Sequence, residues 1–199
     1  MLPAYTPPPA FVPVAPVVGN YVLVRCGGVT QGTATTAGLI RASPFEVHRP
    51  MKISELGAAL AIGSASGLFQ LAIYANNPAT NTPGAVLASI GSISTTTAGR
   101  LSADITGADV TLPAGTYWQA VNVDASGASA IFLGPNPAGA LGANVLGSPT
   151  LALAVAGNLG GANLTYTQAF GTWPDLTGVS PTSFSASTSN SAALIVKVA

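Results

Sequence analysis

The sequence predicts an all-β protein: an antiparallel β-sandwich carrying a Pro-rich extended N-terminal arm. Three observations lead there. From Asn20 onward the apolar runs are short and bounded by turn residues, the mark of closely spaced strands. No stretch sustains the 3.6-residue apolar period of a long amphipathic helix. The first nineteen residues are instead punctuated by six prolines. A chain of 199 residues is long enough to bury one substantial core.

Residues 1–19 form the arm. Pro3, Pro7, Pro8, Pro9, Pro13 and Pro16 fix φ and withhold backbone donors, favouring an extended or polyproline II path. Apolar side chains stand between them, and Tyr5, Phe11, Val14 and Val17 are the expected anchoring residues. A flexible linker would be rich in Gly and Ser. This composition reads as a strap lying in a groove of a neighbouring subunit, with a frayed tail as the alternative.

Residues 20–199 form the sandwich domain, with strands expected in the following order. The runs 21–25, 38–42 and 51–62 come first, then 68–74 after the Gly63–Gly67 break. Asn76-Asn-Pro78 and Thr82-Pro-Gly84 are turn signals that set off 85–93. After 100–105, Leu112-Pro-Ala-Gly115 closes a loop and feeds 115–124. Alternation there puts Tyr117, Gln119, Val121 and Val123 on one face and Trp118, Ala120 and Asn122 on the other. The remaining candidates are 129–133, 150–154, 163–167 and 192–198, separated by Gly134-Pro-Asn-Pro137 and Asn158-Leu-Gly-Gly161.

Charge is scarce. Six Lys+Arg and six Asp+Glu make up 6% of the chain and cancel, against roughly 25% in an ordinary soluble domain. Zero net charge removes the electrostatic case for nucleic acid or acidic lipid. With 48% hydrophobic residues the chain is the reverse of a disordered one. Residues 56–99 lack charge altogether, yet Gly63-Ser-Ala-Ser-Gly67 interrupts the best apolar window and no basic flanks orient it, so no membrane insertion is expected. The N-terminus lacks the basic start and unbroken apolar run of a secretory signal, so Sec export is not expected either.

The same scarcity points away from enzymes. His48 is the only imidazole, so any triad must use it. Glu46 lies two residues before it, and a surface ion pair is the expected reading. Gly63–Gly67 imitates a nucleophile elbow, but Ala65 occupies the nucleophile position. Asp104 and Asp109 lack the dense oxygen spacing of a calcium loop. The single Cys26 excludes an intrachain disulfide and reads as a small strand-end hydrophobe. No catalytic residue, metal or cofactor is expected.

The aromatic residues remain. Trp118 shares its face with small and polar neighbours, and Trp173 lies in the loop Phe170-Gly-Thr-Trp-Pro-Asp175. Indole rings anchor subunit interfaces, fill cores, or stack on sugar faces. Trp118, Trp173 and Tyr166 are therefore the candidate binding residues, for an interface or a glycan, with core packing as the alternative.

Four stretches carry a resemblance. They are residues 38–53 (GLIRASPFEVHRPMKI), Leu71-Ala-Ile-Tyr74 with Thr82-Pro-Gly-Ala-Val-Leu87, Leu112-Pro-Ala-Gly-Thr-Tyr-Trp118, and Phe170-Gly-Thr-Trp-Pro-Asp175. In this order they resemble jelly-roll-like β-sandwich modules of exterior virion proteins of tailed bacteriophages, in tail fibres and head decorations. The likeness spans residues 38–198 and leaves out the arm. It implies a non-enzymatic, particle-exterior protein that assembles with itself, commonly as a homotrimer, on a major capsid or tail protein. Loops such as 134–149 and 170–183 would face the medium. The alternative it implies is tail-fibre binding of a host surface glycan. A chain without a coiled-coil or β-helix shaft favours head decoration or a short fibre.

Overall fold

The computed structural model describes residues 17–23, 29–34, 36–127, 130–135, 163–187 and 194–199. Tyr5, Phe11 and Val14 of the arm, Cys26 and the expected strand at 150–154 lie outside the described residues, as does most of the 134–149 loop. The chain is all-β, as expected. In order the strands are β1 (Tyr21–Leu23), β2 (Val29–Ala34), β3 (Leu39–Val47), β4 (Met51–Ile62), β5 (Leu68–Asn77), β6 (Thr82–Ser89) and β7 (Ile93–Ser94). They continue with β8 (Gly99–Asp104), β9 (Val110–Leu112), β10 (Gly115–Val123), β11 (Ile131–Pro135), β12 (Asn163–Thr167), β13 (Ser185–Ser187) and β14 (Ile195–Val198).

These strands form two antiparallel sheets. The front sheet runs β1-β14-β4-β11-β2, with β8 and β9 also on β4; the back sheet runs β13-β12-β3-β10-β5-β6, with β7 also on β5. The twelve-residue β4 organises the front sheet, because it is long enough to hold two strands end to end along each edge. β9 and β8 pair along one edge, and β14 and β11 along the other.

Side chains of both sheets share one core. Phe45 and Val47 of β3, Phe69, Leu71 and Ile73 of β5, and Val121 and Val123 of β10 meet Ile53, Leu56, Ala58 and Leu60 of β4 and Val196 of β14. Each fully buried aliphatic or phenyl group here contributes roughly 1.5–3 kcal/mol. One corner closes without side-chain bulk. A Cβ on Gly67 would lie 2.3 Å from Thr95 Oγ1 and 2.5 Å from Gly127 Cα, so only glycine lets the three loops touch.

Several local expectations are corrected. Thr82, Pro83 and Gly84 open β6 as buried strand residues rather than forming a turn. The reversal lies just before them, where Asn81 takes φ 51° and the Asn77 side chain accepts from Ala79 N at 3.1 Å. Pro83 is tolerated because β6 is an edge strand. β3 runs on through Pro44, beyond the four residues, 39–42, that pair with β12, so the missing N–H falls where β3 has a neighbour on one side only. β9, within the expected loop before Gly115, pairs with β4, and β2 and β13 are further strands that period-two reasoning passed over.

A candidate binding face

The outer face of the back sheet gathers the three aromatic candidates. Alternate residues of its central strands point there: Ile40 and Ala42, Ala72 and Tyr74, Trp118 and Ala120, with Leu164 beside them. This is the face that alternation assigned to Trp118. A strap of residues 168–184 lies over it, inserting Leu176 and Phe184 fully and packing Trp173 and Val179 against the same cluster.

Polar side chains from the sheet hold the strap's backbone. Asn122 Nδ2 donates to the carbonyls of Gln168 and Ala169 at 3.4 and 3.3 Å. Gly171 N donates to Gln70 Oε1 at 3.2 Å, and Leu176 N to the Gly84 carbonyl at 3.0 Å. A 3-10 turn over Pro181–Ser183 ends the strap, with the Ser180 side chain accepting from Thr182 N. Gly84 therefore belongs to the strap's seat as well as to β6.

Trp118 is 2% exposed, and its Nε1 donates to Asn76 Oδ1 at 2.8 Å. It occupies the core alternative, with no ring face open to a sugar. Trp173 is half-buried and meets Tyr74 edge-on, with ring centroids 6.1 Å apart at 75°. Tyr166, also half-buried, lies 5.6 Å from Phe184. Three polar atoms at the strap are buried with no hydrogen-bond partner among the described residues: Tyr74 OH, Trp173 Nε1 and Asn122 Oδ1. Burial first, and then the nearby Asp175 charge, push the Tyr74 hydroxyl above the usual tyrosine range. Asp175 is itself a turn cap, accepting from Thr177 N at 2.9 Å and Thr177 Oγ1 at 2.6 Å, and these bonds hold its carboxyl below the usual range.

The other titratable residues are spread out. His48 and Glu46 form the expected surface pair, 4.0 Å apart and both exposed. Lys52 pairs with Asp109 at 2.8 Å. Asp124 accepts from Leu68 N and Gly127 N in the glycine corner. Ser64, from the segment that imitates a nucleophile elbow, donates its hydroxyl to the Ser126 carbonyl at 2.6 Å. A cluster that sequence reading missed lies on the outer face of the front sheet. Glu55 accepts from Tyr21 OH at 2.7 Å and Ser102 Oγ at 2.8 Å, and pairs with Lys197. The Lys197 hydrogen bond is the leading cause that holds the Glu55 carboxyl below its usual range, and Glu55 in turn raises Lys197. These residues come from four separate strands, so no local spacing announces them.

No family model matches this chain, and a search of the curated proteins finds no match.

Proposed function

We propose that the protein is a non-enzymatic structural module on the exterior of a tailed-phage particle, a capsid-decorating or short-fibre protein. In this reading the two sheets are a jelly-roll-like β-sandwich, and the Pro-rich arm docks the module to copies of itself, as a homotrimer, and to a capsid or tail protein. The observation that carries it is the root of the arm. Gly19 N donates to the Val198 carbonyl at 2.7 Å, and Val198 N to the Asn20 carbonyl at 3.0 Å. Immediately before and after this clamp, Val17, Val18 and Tyr21 are 61%, 70% and 54% exposed. An apolar segment fastened at one end and uncovered beside the clamp suits insertion into a neighbour better than solvation. Charge usage agrees: Glu55, Asp109, Asp124 and Asp175 all serve ion pairs or turn caps.

Deleting residues 1–19 tests the reading, with particles analysed by cryo-electron microscopy. The expected result is a folded body missing from its ordered positions on the particle; undiminished incorporation overturns the arm's role. The second reading is a host-glycan-binding module. The half-buried Trp173, two residues before the exposed Asp175 in the strap, favours it. Under that reading Trp173→Ala loses glycan-array signal and keeps the oligomer, whereas loss of the oligomer assigns the ring to an interface.

A further inference from the structure

Arg41 is a buried cation with no counter-charge among the described residues. It lies on β3 between Val121 of β10 and Thr165 of β12. Alternation from Ile40 and Ala42, which face the strap, turns it to the inner side of the back sheet, the side of Phe45 and Val47. The residue is 5% exposed. Its Nη2 donates to Thr36 Oγ1 at 3.4 Å, and Nε and Nη1 are buried with no acceptor among the described residues.

The six Asp and Glu side chains all lie elsewhere. Glu46 faces His48, Glu55 takes Lys197, Asp109 takes Lys52, and Asp124 and Asp175 cap turns. Asp104 stands opposite Glu55 on the exposed side of the front sheet. The residues outside the described set contain neither Asp nor Glu. A guanidinium stays protonated at any ordinary pH, although burial lowers the pKa of this one. Leaving such a charge buried and unpaired costs several kcal/mol. An anion that reaches it restores what the guanidinium lost on leaving water, through charge-assisted hydrogen bonds. Thr36 marks the approach. It is exposed, it touches the guanidinium, and its hydroxyl hydrogen is free to turn toward an incoming oxygen.

We propose that Arg41 forms the floor of a binding site for a small oxyanion of the phosphate or sulfate class, entered past Thr36. The site lies on the inner side of the back sheet and is independent of the arm and of the strapped face.

Inorganic phosphate is the probe, titrated into the full chain against sodium chloride of matched ionic strength, with sodium sulfate as a parallel series. The expected result is a rise in Tm that grows with the logarithm of phosphate concentration above Kd and reaches about 5 °C or more at a hundredfold excess. In the same titration the Arg41 Nε–H resonance should move in a nitrogen–proton NMR spectrum. A response to sulfate as well as phosphate, beyond the sodium chloride control, identifies a general oxyanion site, and a response to phosphate alone narrows it to phosphate. Arg41→Met, which keeps the stem and removes the charge, should abolish both effects. A Tm response that survives in Arg41→Met overturns the assignment. So does an unmoved Arg41 Nε–H in the parent protein, a readout that stands even where the variant fails to fold.

Discussion

Replacing Trp118 separates a ring that packs from a ring that binds. The indole is almost wholly buried against Ala72, Tyr74 and Leu176 in the outer cluster, and its N–H satisfies Asn76. Trp118→Ala removes the ring and leaves a cavity under the strap, a loss of about 3–5 kcal/mol for a buried tryptophan. Trp118→Phe retains most of the packing and strands Asn76 Oδ1, at a cost of about 1–3 kcal/mol. Combining Trp118→Phe with Asn76→Ala removes both partners, so the double variant should lose less than the sum of the singles, by about 0.5–3 kcal/mol. Urea unfolding followed by far-UV circular dichroism measures the parent and the four variants, Asn76→Ala alone included, without relying on the fluorophore being removed. Melting should move in step, at roughly 2–4 °C per kcal/mol for a chain of this size. A Trp118→Ala protein within 1 kcal/mol of the parent would refute the reasoning, because a ring in the core cannot be removed at so small a cost.

Two further predictions follow from groups described above. Tyr74→Phe deletes a buried hydroxyl with no partner among the described residues, so it should leave stability unchanged or raise it by up to about 1–3 kcal/mol; a destabilisation beyond 1 kcal/mol in urea unfolding would show that the hydroxyl is satisfied in solution. Glu55 has a depressed folded-state pKa, so its contribution is present above the ordinary glutamate value and fades as pH falls through the folded one. Lys197 is raised, so its side of the pair persists below the ordinary lysine value and is lost as pH rises through the folded one. Glu55→Gln should therefore flatten the acid limb of a Tm-against-pH curve, and an unchanged limb would remove Glu55 from the pH dependence.

The fold class was legible because strand and turn chemistry repeat locally. β4 and β12 occupy the bounds expected for them, β4 because Pro50 and Gly63 cut its run at both ends and β12 because Gly160 and Gly161 precede it. The faces of β10 followed from alternation alone. What covers the Trp118 face was not legible, because the strap arrives from some fifty residues downstream and is held by Asn122 and Gln70 through its backbone. Backbone partners leave no trace in side-chain pattern. The strands passed over have their own reasons: β2 carries Gly32 and polar residues, β13 reads Ser-Ala-Ser, and β9 is only three residues long. Thr82-Pro-Gly84 misled because turn residues also suit an edge strand that must make room for a covering segment.

The pairing of β1 with β14 sets an order of events during synthesis. Tyr21 stands opposite Lys197, and Leu23 opposite Ile195, so β1 has no strand to join until residues near 197 have left the ribosome. Contacts this distant in sequence form slowly, because a long loop must close before they reward it. Until then the apolar root at Val17 and Val18 is unclamped, and the edge of β4 that β14 will occupy stands open. A chaperone or a neighbouring chain that meets the protein in this interval meets the β1 and β4 edges unpaired, whereas one that arrives after closure finds both taken by β14.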